Sequence, residues 1–167
     1  MTNAIACAGR RLLAAGAVVL ALPAVSACLP SEPYSTIAVS MDGSALQVRM
    51  ADCPASEVKG ARIIPEVMNG NLLDTHVPAL WQVSFAEPTV AGAITVGDAV
   101  PDGGTLDVAL AVPLDPATEY VVIFRYSNDG EPAEVFKPAE LHDGRVRFSG
   151  VYLSHEEFDN RSACSKQ

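Results

Sequence analysis

From residue 36 onward, apolar and polar positions alternate with a period of two in one short run after another. Ile37 and Val39 share a face, as do Leu46, Val48 and Met50, with Gln47 and Arg49 opposite. Between these runs, Met41-Asp42-Gly43-Ser44 supplies a tight hairpin turn, because glycine readily takes a positive φ and aspartate tolerates it. Residues 58 to 64 form a third apolar run, ended by Pro65. Over residues 80 to 85, Trp81, Val83 and Phe85 take one face while Gln82 and Ser84 take the other. Leu106, Val108, Leu110 and Val112 make a further run, and Tyr120, Val122, Phe124 and Tyr126 another. Asn128-Asp129-Gly130 turns the chain toward a strand over residues 133 to 136, and Asp143-Gly144 leads into a last strand carrying Val146, Phe148 and Tyr152. Period-two runs separated by frequent turn signals predict an all-β, antiparallel sandwich or barrel.

Two stretches depart from this pattern. Ser154-His155-Glu156-Glu157 has the S-x-x-E form of a capping box, in which the serine oxygen takes an orphan amide and the glutamate returns to the cap. It predicts a short C-terminal helix through about Arg161. The other stretch is the N-terminus. Residues 1 to 11 carry Arg10 and Arg11 and no acid, and residues 12 to 25 are nearly all Leu, Ala, Val and Gly, interrupted by Pro23. This is the charged start and apolar centre of a secretory signal. It is shorter than the roughly 20 residues that a spanning helix needs. Arg10-Arg11-Leu12-Leu13 resembles a twin-arginine export motif, but Gly9 replaces the usual Ser or Thr, which favours the general secretory route.

Val25, Ser26, Ala27 and Cys28 close that stretch. An aliphatic residue, two small residues and a cysteine resemble the lipobox of a bacterial lipoprotein. The resemblance implies cleavage before Cys28, a diacylglyceryl thioether on its sulfur, and usually a further acyl chain such as palmitate on its amine. One chain gives only marginal membrane residence, whereas two or more anchor stably. The expected domains are a signal peptide over residues 1–27, a tether over residues 28–35 rich in proline, and a β-sandwich over residues 36–167. The expected location is the outer face of the bacterial cell membrane.

Removing that signal changes both charge and cysteine count. The chain has 11 basic and 20 acidic residues; both charges in residues 1–27 are arginines, so the balance moves from −9 to −11. A surface this acidic disfavours nucleic acid and anionic lipid head groups as partners. Cys7 leaves with the signal and Cys28 takes the lipid, so Cys53 and Cys164 remain as one pair in an oxidising compartment. They are expected to form a disulfide.

The layout as a whole resembles small actinobacterial lipoproteins. They share a lipobox, a strand–Asp-Gly–strand opening that runs into a cysteine, a central Trp strand, a Gly-x-x-x-Pro-x-Gly connector and a terminal cysteine. Here these are Asp42-Gly43, Cys53, Trp81, the connector from Gly97 to Gly103, and Cys164. The resemblance implies an immunoglobulin-like sandwich and carries no activity with it.

Catalytic and metal-binding patterns are weak. His76, His142 and His155 are scattered; Asp74 and His76 lie beside Asn69-Gly70-Asn71 and suggest a polar surface loop rather than metal ligands. A blue-copper centre would need a free cysteine, and both remaining cysteines are expected in the disulfide. Ser154, His155 and Glu156 have the residue types of a hydrolase triad, but successive helical residues diverge by roughly 100° and cannot hydrogen-bond in series. No phosphate-binding or dinucleotide motif occurs. Trp81, Tyr120, Phe124 and Phe148 lie on apolar faces and are expected in the core, while residues 89 to 96 suit an edge strand. The expectation is therefore a non-enzymatic envelope protein without cofactor, anchored through Cys28. It would bind a protein or envelope component through its loops or an edge strand. The alternative is a periplasm-like binder of solutes or divalent cations, using its acidic loops.

Overall fold

A computed structural model describes residues 36–51, 57–90, 92–97 and 100–161, the side chains of 142 and 143 excepted. The chain forms β1 (Ile37–Asp42), β2 (Ala45–Met50), β3 (Val58–Pro65), β4 (Met68–Asn69), β5 (Leu72–Leu73), β6 (Trp81–Thr89) and β7 (Ala93–Thr95). There follow β8 (Gly104–Val108), β9 (Tyr120–Tyr126), β10 (Ala133–Phe136), a 3-10 helix (Pro138–Gly144), β11 (Val146–Phe148), β12 (Val151–Leu153) and α1 (His155–Arg161). The first sheet has the order β12-β11-β1-β2-β7 and the second β10-β9-β3-β6-β8, with β4 and β5 pairing separately. Every described pairing is antiparallel. This is the expected β-sandwich with its short C-terminal helix.

Alternation along the strands sets the layers. Ile37 and Val39 of β1, Val48 of β2, Ile63 of β3, Trp81 and Val83 of β6, Ile94 of β7, and Val122 and Phe124 of β9 are fully or almost fully buried in one cluster between the sheets. Burying each such side chain contributes about 1.5–3 kcal/mol, which makes this cluster the main source of stability. Trp81 also needs a partner for its indole N–H, and donates it to the Gly97 carbonyl at 3.0 Å.

Both outer faces are partly roofed. On the first sheet Ala38, Val146 and Leu153 pack with Ala51 and with Phe158 of α1. Phe148 meets Phe158 edge-on, with ring centroids 5.3 Å apart, and the Arg49 guanidinium stacks 4.3 Å above the Phe158 ring. On the second sheet Ile64, Val121 and Ile123 are covered by Leu73, Val77 and Ala79 from the segment between β3 and β6.

Three details differ from the sequence expectation. The last strand is two strands: Ser149 and Gly150 both take positive φ (49° and 76°), and Phe148 pairs with Val151. Two successive positive φ angles match the twist of a tight hairpin. Tyr152 consequently faces the sandwich interior while Val146 and Phe148 face α1. The run through Val112 stops at Val108; Leu110 still packs on the core, but Val112 is exposed. The polar loop at residues 69–71 is the tip of the β4–β5 hairpin. Residues 1–35, with Val25, Ser26, Ala27 and Cys28, lie outside the described residues, as do Cys53 and Cys164.

Candidate functional site

The outer face of the second sheet is only half covered, and its uncovered half is polar. Register places the side chains there in two rows. Arg125 on β9 lies opposite Gly60 on β3, which lies opposite Ser84 on β6. In the next row Arg62 and Gln82 stand beside Ile123, where the covered, apolar half begins. Gly60 makes the gap in the first row. A Cβ on Gly60 would sit 2.6 Å from the Val83 carbonyl oxygen, closer than any side chain tolerates, so β3 and β6 approach here only because residue 60 has none. The register of β3 shifts between Val58 and Gly60, as a β-bulge does, which brings Val58 and Ala61 to the same interior face.

The result is a shallow, open depression of about 60 Å³ floored by Gly60 and lined by Arg62, Gln82, Ile123, Arg125 and Glu131. The β9–β10 turn folds acidic groups toward it. Asp129, at φ 62°, accepts a hydrogen bond from Lys59 Nζ at 2.9 Å. That hydrogen bond and the lysine charge hold the Asp129 carboxyl below its ordinary range, with a smaller contribution from Arg125. Glu131 stands 3.5 Å from Arg62 Nη2, longer than the 2.7–2.9 Å usual for charged partners. On the far side Asp107 of β8 accepts from Gln82 Nε2 and Ser84 Oγ, each at 3.1 Å, and so fixes both side chains.

The chain, compared with family models, curated proteins and solved structures, matches none of them.

The residues singled out from sequence are placed as follows. His76 is almost fully exposed; its backbone N–H donates to Asp74 Oδ1 at 2.9 Å, a local loop contact. Among the described residues no three His, Cys, Asp or Glu side chains group as metal ligands would. His155 opens α1, and Ser154 caps it: Ser154 N and Oγ donate to Glu157 Oε2 at 2.8 and 3.0 Å, and Glu157 N donates back to Ser154 Oγ at 3.2 Å. Trp81 and Phe124 are fully buried and Tyr120 nearly so, as expected of core residues; Phe148 is half-buried under α1. Of residues 89–96, expected as an edge strand, Ala93–Thr95 form β7 at the border of the first sheet, while Thr89 ends β6.

Sequence reasoning missed Arg62 and Arg125. Both occupy polar positions of alternating strands, where a charge is ordinary, and only the β3–β9 register brings them together. Gly60 inside an apolar run is the one sequence signal that pointed to the site, because glycine within a strand marks a bulge or a close backbone approach.

Proposed function

We propose that this chain is a lipid-anchored envelope protein that works by contact rather than catalysis. Cys28 carries the lipid on the outer face of the cell membrane, and the uncovered half of the second sheet is its contact surface. The observation that carries this reading is the unequal treatment of that sheet's outer face. The chain roofs Ile64, Val121 and Ile123 with its own apolar residues and leaves the row Arg125–Gly60–Ser84 open beside them. A rigid strand floor with arginines on it suits recognition, since Arg is enriched where binding energy concentrates. The partner is a protein or another envelope component; the acidic charge of the chain argues against nucleic acid.

The experiment is fractionation and intact mass of the wild type and of Cys28→Ala, followed by capture from membranes. The wild type is expected in the membrane fraction with the mass of a processed, acylated chain, and Cys28→Ala in the soluble fraction or unprocessed. An unchanged mass and distribution in Cys28→Ala overturns the anchor. Capture that is insensitive to paired Arg62→Gln and Arg125→Gln changes overturns the contact surface.

A further inference from the structure

We infer that the depression between Arg62 and Arg125 binds a carboxylate group, and that Glu131 is its displaceable internal stand-in. This rests on the reading of the same face as the contact surface and names the chemistry it recognises. Arg62 is held between Ile123 and Gln82 across the sheet and is about a third exposed, so its guanidinium is restrained yet accessible. A guanidinium offers a planar fork of donors that matches a carboxylate in bidentate fashion. The Glu131 contact falls short of that match: one nitrogen, one oxygen, 3.5 Å. Glu131 arrives on a turn, and its side chain is itself 43% exposed, so a better-placed carboxylate can take its position without disturbing a strand. Arg125, exposed and opposite the missing side chain of Gly60, supplies a second guanidinium beside the same gap.

The resident anion points to the class of ligand. Asp107 is engaged by Gln82 and Asp129 by Lys59, so Glu131 is the carboxylate that meets the Arg62 guanidinium. A planar, singly charged carboxylate replaces that of Glu131 like for like, whereas a tetrahedral phosphate differs from it in shape and charge. Because the depression is shallow and open, the ligand approaches as a protruding acidic group rather than as an enclosed solute.

The test is a titration of the full-length chain in detergent with a tri-glutamate peptide, with acetate and with inorganic phosphate, followed by amide shifts at Gly60, Gln82 and Glu131. Saturable shifts are expected with the peptide. Acetate at equal carboxylate concentration distinguishes a small free acid from an acidic side chain on a chain: weaker acetate binding is expected for a peptide-borne carboxylate, and equal binding overturns that assignment. Losing a charged hydrogen bond of about 1.5–3 kcal/mol gives roughly a tenfold or larger weakening in Arg62→Gln and, more safely for folding, in exposed Arg125→Gln. Glu131→Gln is expected to tighten the peptide several-fold, which a purely structural role for Glu131 would not do. Phosphate binding as strong as the peptide's, absence of saturable shifts, or no gain in Glu131→Gln overturns the inference. If the titration fails while Arg62 and Arg125 remain necessary for membrane capture, the contact surface stands and only its ligand chemistry is wrong.

Discussion

At the residue scale, two carboxylates show how position decides what a charge does. Glu134 on β10 is buried between the sheets, and its Oε1 accepts from Arg147 Nε at 2.9 Å and from the Gly150 N–H at 3.0 Å. Arg147 belongs to β11 and stacks 4.7 Å from the Tyr152 ring, so this pair clasps the two sheets at their edge. Removing one partner of a buried pair leaves the other charge uncompensated, at a cost of about 3–5 kcal/mol; Arg147 keeps some access to water, so about 2–3 kcal/mol is expected for Glu134→Ala. The double change Glu134→Leu with Arg147→Met should cost less than Glu134→Ala alone when both are compared by urea unfolding. A double change costing more would show that the ion pair itself, rather than the stranded charge, supplies the stability. Glu66 is the opposite case. Desolvation, then a side-chain hydrogen bond that the protonated Glu66 donates to the neighbouring Glu119, and the charge of Glu119, raise the Glu66 carboxyl above its ordinary value. The folded chain therefore holds that proton to higher pH than the unfolded chain does, and stability falls as pH rises from the ordinary carboxylate value through the raised one. Glu66→Gln should flatten this fall and stabilise the protein at neutral pH, with little difference in acid. An equal pH dependence in wild type and variant refutes the assignment.

At the element scale, α1 is too short to be stable by itself, and its seven residues depend on what they cap and cover. Two contributions can be separated. Losing the serine cap costs about 1 kcal/mol, so Ser154→Ala should lower stability modestly. Phe158 is almost fully buried, fills the space over Val146 and Leu153, and receives both Phe148 and the Arg49 guanidinium. Its truncation to alanine should cost about 3–5 kcal/mol, several times the cap. Packing outranks capping for this helix; equal losses measured by chemical unfolding would reverse that order. The backbone and side-chain hydrogen bonds from Ser154 hold the Glu157 carboxyl below its ordinary value, so the cap's contribution is present above that ordinary value and lost as pH falls through the lowered one. The cap was readable in the sequence because its four residues interact locally. Residues 146–153 were not, for the converse reason. Ser149-Gly150 lacks the Asn-Gly or Asp-Gly form of a strong hairpin signal, so the apolar run looked continuous, and the turn is evident only from its φ angles. The arginine site was hidden in the same way: strand periodicity gives each side chain a face, but the register that joins β3 to β9 and β6 is a long-range property.

At the scale of the whole molecule, the sheets are joined by a core of local alternation and long-range pairing, and α1, the last element among the described residues, returns to the first sheet. Ala51, the residue after β2, and Phe158 of α1 pack in one cluster. Cys53 lies two residues beyond Ala51, and Cys164 three residues beyond Arg161, where α1 ends. The described residues next to each cysteine in sequence, Ala51 and α1, thus lie on the same outer face, and the two cysteines themselves lie outside the described residues. If the chain is exported as proposed, to an oxidising compartment, a Cys53–Cys164 disulfide is the prediction that this placement of Ala51 and α1 supports. It would close a loop of about 110 residues, restricting the unfolded chain by up to roughly 4–5 kcal/mol on the entropic account. The bond should appear as an unreduced intact mass lighter by two hydrogens and as no alkylation before reduction, with two alkylated cysteines after it. Reduction should lower the unfolding midpoint. Cys53→Ser and Cys164→Ser should each reproduce that loss, and the double variant should add nothing further, because the same link is broken once in every case. Two alkylatable thiols in the unreduced mature chain would end this assignment. The packing of α1 through Phe158 would then be the main restraint on α1 among the described contacts, and Phe158→Ala should loosen it.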